Sequence, residues 1–264
     1  MPELPDVEVF RRYMDKTSLN SKITSVEVLA ADMLGKVSKK ALEQRLTGSR
    51  FKSTSRRGKY MFAEIAAGGH LVLHFGMTGF LKFFSDDEEP PGHMRMRIDF
   101  TGGKHLGYDC RRKFGLIDMI DDPEEFYREK ELGPDALDSR ITFNDFQKLY
   151  GGRSSAVKAA LMDQSLLAGI GNIYSDEILF QAEIHPATPF NKLDQQVLKG
   201  LYRRMQHVLE QAIKWRADAG NFSEKYLLVN RENGAECPRC GGEIVKEKIA
   251  GRSSYYCKKH QKQE

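Results

Sequence analysis

An α+β fold, with strands gathered ahead of helices, is predicted by three observations. Seven short apolar runs of strand length lie between residues 22 and 120, and glycine turns separate most of them. Beyond about residue 123 the apolar spacing lengthens to a helical period. The chain then carries Cys237-Pro-Arg-Cys240 and Cys257-Lys-Lys-His260, two paired knuckles that mark a small third part.

Residues 6–16 read as an N-terminal helix, because Pro5 suits a first turn and Val7, Phe10 and Met14 share one face. The strand-like runs are 23–28, 51–55, 60–65, 70–75, 80–84, 94–100 and 116–119, which suggests a β-sandwich or barrel-like first half. Asp122-Pro123-Glu124-Glu125-Phe126 opens a helix, and Leu132-Gly133-Pro134-Asp135 reads as a hinge. Helices follow at 142–150, 156–168, 173–182 and 194–216. The last of these spaces Val197, Leu201, Met205, Val208, Leu209 and Ala212 as a core-facing stripe.

The chain has 264 residues and is 40% hydrophobic, which suits one large domain or two modest ones. No apolar run approaches the roughly 20 residues that cross a bilayer as a helix, so a spanning protein is excluded. The acidic, proline-rich opening Met1-Pro2-Glu3-Leu4-Pro5-Asp6 does not read as a secretory signal. Four cysteines are too few for a disulfide scaffold, so a cytoplasmic protein is expected. The net charge of +4 decides nothing until it is divided along the chain. Residues 50–60 hold five basic side chains and no acid, and Arg111-Arg112-Lys113 forms a second cluster. Residues 236–264 hold seven basic and four acidic side chains, while acids gather at Asp86-Asp87-Glu88-Glu89. Phe51, Tyr60, Phe114, Tyr255 and Tyr256 interleave with the bases, the pattern of a nucleic-acid footprint.

Cys237, Cys240, Cys257 and His260 offer four N/S donors in two correctly spaced pairs, which suits one tetrahedral, structural Zn²⁺. The strand-like residues between the knuckles, folded about Gly251-Arg252, make a β-hairpin finger with Arg252 at its tip, where it can meet a phosphate. Cys110 stands apart and reads as a packing residue. Gly169-Ile170-Gly171-Asn172 joins two helices, and its bare amides with the following helix start can grip a phosphate.

The opening Met1-Pro2-Glu3-Leu4-Pro5-Asp6-Val7-Glu8 closely resembles that of the bacterial formamidopyrimidine-DNA glycosylase and endonuclease VIII family. Arg56-Arg57-Gly58-Lys59-Tyr60, His74-Phe75-Gly76-Met77-Thr78-Gly79, Arg112-Lys113-Phe114-Gly115, Leu161-Met162-Asp163-Gln164, Gly169-Ile170-Gly171-Asn172-Ile173-Tyr174 and the finger occur in family order. The resemblance implies an N-terminal β-sandwich domain at 1–130, a helix–two-turns–helix domain at 131–234 and a zinc finger at 235–264.

It also implies roles. Met1 is removed, and the Pro2 amine attacks C1′ of the damaged nucleotide, with Glu3 as general acid/base beside it. Lys59, read as a strand residue, and His74 match contacts to the lesion's sugar and phosphates. Met77 matches a residue that fills the void left by a flipped base. Arg112 and Phe114 match the pair that reads the orphaned partner base and wedges the duplex. Lys158, Asn172 and Arg252 match DNA contacts, and Asp6 and Glu177 match carboxylates of the lesion pocket.

Four departures stand out. Asp6 replaces the usual Glu, and one extra residue separates Asp109 from Phe114, which leaves Arg111 as an alternative to Arg112. His260 replaces a cysteine, and residues 217–236 are shorter than the loop that covers a flipped purine in 8-oxoguanine-removing members. The expectation is a monomeric, bacterial-type, nucleoid-associated glycosylase and abasic-site lyase. It acts on formamidopyrimidine or 8-oxoguanine lesions in duplex DNA, has no membrane partner and belongs to base excision repair. An endonuclease VIII-like preference for oxidised pyrimidines, and a non-catalytic DNA-binding member, are the alternatives.

Overall fold

A computed structural model describes residues 1–262; the last two residues of the expected 235–264 finger lie outside the described residues. The chain divides into two compact units, one of Met1–Pro2 and Asp6–Lys130, the other of Glu3–Pro5 and Glu131 onward.

The first unit holds two four-stranded antiparallel sheets. One is ordered β1 (Ile23–Val28), β6 (Met94–Phe100), β7 (Lys104–Cys110), β5 (Gly79–Ser85); the other runs β2 (Phe51–Arg57), β3 (Tyr60–Ile65), β4 (His70–His74), β8 (Leu116–Ile120). Val28, Ile98 and Leu106 of the first sheet and Met61, Leu73 and Ile117 of the second share one buried cluster, the sandwich the sequence suggested. Helix α1 (Leu4–Thr17) contributes Val7 and Met14 to that core, and α2 (Lys39–Leu46) contributes Leu42 and Leu46. Both α2 and β7 escape a reading by period. The α2 segment begins on two lysines after its Ser38 cap, and β7 is interrupted by Gly107, where a Cβ would stand 2.8 Å from Pro91. Helix α3 (Pro123–Glu129) starts at an Asp122 N-cap, as Asp-Pro-Glu-Glu demands.

The second unit is built on α4 (Phe143–Tyr150), α5 (Val157–Leu161), α6 (Asn172–Gln181) and α7 (Gln195–Lys214). The expected helix at 156–168 is only one turn and a half long. Residues 162–171 turn instead, because the Gln164 amide donates to the carbonyls of Met162 (2.8 Å) and Ile170 (2.7 Å) and accepts from Gly169 N–H (3.0 Å). Tyr174 through Gln181 are all buried, so α6 is an interior helix whose polar residues need partners. The finger strands β9 (Ile244–Ile249) and β10 (Arg252–Cys257) pair antiparallel around Ala250-Gly251, both at positive φ, as a two-residue hairpin turn requires. Arg252 therefore opens β10 instead of occupying the turn. The finger's small core includes Phe180 of α6 with Leu227, Cys237, Ile244 and Cys257. Among the described residues no helix is long and apolar enough to cross a membrane.

Candidate active site and nucleic-acid interface

In the second unit, Glu3 is fully buried at the start of α6. Its carboxylate accepts the backbone N–H groups of Gly171 (2.7 Å), Ile173 (2.8 Å) and Tyr174 (3.2 Å). A helix start has amides without intrahelical partners and a partial positive charge, so it holds a carboxylate well. Gly171 is the N-cap and has no side chain to compete; a Cβ there would lie 2.3 Å from Glu3 Cδ. Leu4 N–H donates to Gly169 O at 3.1 Å, and Gly169, at φ +123°, leaves room for the Leu4 side chain. Within the glycine turn expected to hold a phosphate, the Gly171 amide thus goes to Glu3 and the Gly169 amide to Gln164 Oε1. Asn172, the first residue of α6, keeps a buried Oδ1 with no hydrogen-bond partner.

In the first unit, Lys59 lies in the two-residue turn Gly58-Lys59 joining β2 to β3, not on a strand, with Gly58 at φ +57°. Its hairpin pairs Tyr60 with His74 at the end of β4, ring centroids 4.8 Å apart. Burial, then the positive charges of Lys59 and Lys130, depress the His74 imidazole to about 4, so it is neutral at pH 7. His74 Nδ1 accepts Gly76 N–H at 3.3 Å, which leaves the proton on Nε2 as a donor. Glu8 is driven up by burial, but hydrogen bonds from Arg11 and Arg12 with the charges of Arg11 and Arg56 bring it down to about 2. It thereby ties the end of β2 to α1, whose first turn carries Asp6.

Two loops of this unit interlock through glycines. A Cβ on Gly76 (φ +56°) would fall 2.4 Å from the Phe114 carbonyl carbon, and one on Gly115 would strike the Tyr108 hydroxyl. Arg112 N–H donates to Thr78 Oγ1 at 3.1 Å, and its guanidinium lies 5.0 Å from the Phe114 ring centroid. Met77, Arg112 and Phe114 are thus held together, with Met77 39% and Phe114 59% exposed.

In the finger, the thiol sulfurs of Cys237, Cys240 and Cys257 lie within 4.8 Å of one another, and Cys240 and Cys257 are 3.6 Å apart. Two thiolates on one tetrahedral zinc at about 2.3 Å each would stand about 3.8 Å apart, so the set fits the ion. His260 is not drawn into this group; its Nε2 lies 3.1 Å from the Phe180 carbonyl, against the end of α6. A ligating histidine commonly gives its second ring N–H to a carbonyl in this way.

Three models match the chain in order. They are the formamidopyrimidine-DNA glycosylase N-terminal domain over residues 1–117, its H2TH domain over 132–223, and the zinc finger found in FPG and IleRS over 234–259. The chain belongs to the formamidopyrimidine-DNA glycosylase family. The formamidopyrimidine-DNA glycosylase of Pelotomaculum thermopropionicum is 34% identical, with 99% of each chain covered. That of Streptococcus thermophilus is 33% identical over 99% of this chain and all of its own. The Lactococcus lactis Fpg in complex with an abasic site containing DNA superposes with a TM-score of 0.89 at 30% identity, over 99% of this chain and all of that one. The same enzyme with a N7-benzyl-Fapy-dG containing DNA gives 0.89 at 31%, with the same coverage.

Against this family pattern two expected positions change character. Lys158, expected at DNA, is 1% exposed and gives its ammonium to Asp176 at 2.6 Å, out of reach of a phosphate. Glu177, expected in the lesion pocket, is fully buried; it accepts Gln181 Nε2–H (2.7 Å) and Leu228 N–H (2.8 Å), and burial raises it to about 7. Glu177 lies on the buried stretch Tyr174–Gln181 of α6, and Lys158, buried on α5, pairs with Asp176 of the same stretch. Residues 217–236 carry two short 3₁₀ turns, Ala219–Asn221 and Leu227–Asn230, and most of their side chains are exposed. Arg216 and Ala217, both at positive φ, turn the chain back so that Phe222 and Tyr226 pack edge-on against Trp215 at 5.2 and 5.1 Å. Sequence reasoning missed Gln164, whose only signal was its place in the Leu161-Met162-Asp163-Gln164 motif, and the partners of Asp176.

Proposed function

We propose that this chain is a bifunctional DNA glycosylase and abasic-site lyase that removes oxidised bases of the formamidopyrimidine or 8-oxoguanine type from duplex DNA in base excision repair. The observation that carries this reading is Glu3, buried and fixed by three amides, next in the chain to Pro2. Met1 is 45% exposed, open to removal. The Pro2 amine freed by that removal titrates near 7.7–8.0, so much of it is neutral at physiological pH. Its lone pair forms a bond to C1′, and the glycosidic bond breaks with its electrons leaving on the protonated base. Glu3 takes the proton that the Pro2 nitrogen sheds after attack and delivers it to the sugar ring oxygen as the ring opens to the Schiff base. Loss of a C2′ proton then expels the 3′ phosphate, and a second elimination expels the 5′ phosphate. Lys59 and the neutral His74, through Nε2–H, hold the lesion's sugar and phosphates. Asp6 shapes the catalytic pocket. Met77 fills the void, Arg112 reads the orphaned base and Phe114 wedges the stack. Asn172 and Arg252 grip phosphates. A structural Zn²⁺ held by Cys237, Cys240, Cys257 and His260 would pin the finger. The enzyme acts as a monomer at the nucleoid.

Borohydride trapping tests this reading. Protein with a verified Pro2 terminus, mixed with abasic-site duplex and reductant, is expected to give a covalent adduct, and Pro2→Gly is expected to lose base excision. Absence of an adduct with the wild-type chain refutes the enzyme reading.

The 217–236 segment, held back at Phe222 and Tyr226 against Trp215, favours a second reading of substrate choice, an endonuclease VIII-like preference for oxidised pyrimidines. Duplexes with single defined lesions, each opposite a chosen base, separate the two; fast 8-oxoguanine excision excludes the second.

A further inference from the structure

Asp176, 1% exposed on α6, is a carboxylate with four donors. Oδ1 accepts Lys158 Nζ at 2.6 Å; Oδ2 accepts Arg231 Nη2 at 2.7 Å, Arg231 Nε at 3.1 Å and the backbone N–H of Tyr255 at 3.2 Å. Lys158 Nζ also donates to the Ser253 carbonyl at 3.2 Å. Ser253 and Tyr255 are two apart on β10, so their backbone groups face the same edge of the strand. Among the described residues the finger sheet has two strands, so that edge has no third strand to pair with there. Asp176 and Lys158 supply the acceptor and the donor that a third strand would have offered. The Arg231 guanidinium also lies over the Tyr255 ring, 4.3 Å from its centroid. The pinned edge begins one residue after Arg252, which is exposed and opens β10.

Packing two cations and one carboxylate inside a protein carries a desolvation penalty that apolar contacts would avoid. What such a set gives in return is direction, since two of its bonds each fix one backbone group of β10, the Ser253 carbonyl and the Tyr255 N–H, while the others hold Asp176 and Lys158 in place to do so. We propose that Asp176, acting with Lys158 and Arg231, is a positioning residue that sets Arg252 for its phosphate contact by bonding the open edge of β10, an anchor separate from the metal knuckles. The inference rests on the reading of Arg252 as a DNA-contacting residue given above.

The test is a double-mutant cycle on binding to a duplex with a tetrahydrofuran abasic analogue, read by fluorescence anisotropy over a range of salt. Arg252→Ala is expected to weaken binding about tenfold and to lower the salt slope by about 1. Asp176→Asn is expected to reproduce most of both effects while retaining one zinc per chain and a cooperative melt. In the double variant, binding is expected to be no weaker than with Arg252→Ala alone, because a misplaced Arg252 has nothing left to lose. Losses that multiply point to general destabilisation and overturn the proposal. Wild-type affinity in Asp176→Asn, with Arg252→Ala impaired, overturns it while leaving the role of Arg252 intact. Wild-type affinity in Arg252→Ala itself removes both readings. Should Asp176→Asn fail to melt cooperatively, Arg231→Gln decides, since it keeps the Lys158–Asp176 pair. A loss of about threefold that vanishes in the Arg252→Ala background upholds the proposal, and a loss that persists there refutes it.

Discussion

Gly171→Ala tests the placement of Glu3 with a single methyl group. The backbone at Gly171 is extended, at φ −125° and ψ −157°, so alanine can adopt it and the perturbation is one of space alone. The new Cβ would lie 2.3 Å from Glu3 Cδ and 2.4 Å from Oε1. Ordinary carbon contacts start near 3.5 Å, so the carboxylate must retreat by roughly 1 Å. That retreat breaks at least the 2.7 Å bond from Gly171 N–H. A hydrogen bond to a charged group contributes about 1.5–3 kcal/mol, and the helix-start charge adds up to about 1 kcal/mol. A loss near 2 kcal/mol lowers Tm by about 4–8 °C in a chain of this size. A catalytic group displaced by roughly 1 Å costs about 100-fold in rate. Single-turnover excision from a labelled lesion duplex, run beside thermal melting, reads both effects. Gly200→Ala is the control, because it adds a methyl to open space in α7 and is expected to leave the rate unchanged while stabilising the fold by about 1 kcal/mol. Excision by Gly171→Ala within threefold of wild type would refute the assignment of Glu3 to the chemistry at this position.

Other perturbations address the remaining groups. His74 has a folded pKa of about 4, below its unfolded value near 6.5, so the unfolded chain binds more protons between those limits. Its contribution is present above pH 6.5 and is lost as pH falls toward 4; His74→Gln is expected to flatten that part of a Tm-against-pH curve, and an unchanged curve contradicts the assignment. Phe114→Ala removes a ring that is 59% exposed, so Tm should move by about 1–2 °C at most while 2-aminopurine emission opposite the lesion changes. A large Tm drop with unchanged emission would mean the ring is structural. Cys240→Ser is expected to lower bound zinc from one per chain to none by elemental analysis and to weaken DNA binding; full zinc retention would remove Cys240 from the ligand set.

Much of this arrangement is readable along the chain because it depends on neighbours in sequence. The Asp122-Pro123 helix start and the 3.6-residue stripe of α7 are local, and local spacing predicts them. The Cys-x2-Cys knuckle likewise brings its two sulfurs together through its own short turn. The apolar residues of 156–168 suit a helix by spacing, but the Gln164 side chain bonds the Met162 and Ile170 carbonyls and holds a turn that no period encodes. Nor does β7 announce itself, since it is buried between β5 and β6 and takes its strand character from them.

The sequence by itself determined which chemical groups are present and in what order, from Pro2-Glu3 near one end to the Cys237/Cys240 and Cys257/His260 knuckles near the other. Tertiary structure alone decided which of those groups face a ligand and which face one another. The family resemblance assigns Lys158 to DNA and Glu177 to the lesion pocket, yet interior α6 and its surroundings give them internal partners. The amides of the glycine turn look free for a phosphate until Glu3, 168 residues earlier, occupies one of them. A buried charge must be paired wherever the fold leaves it, and pairing depends on distances in space that separation along the chain does not encode.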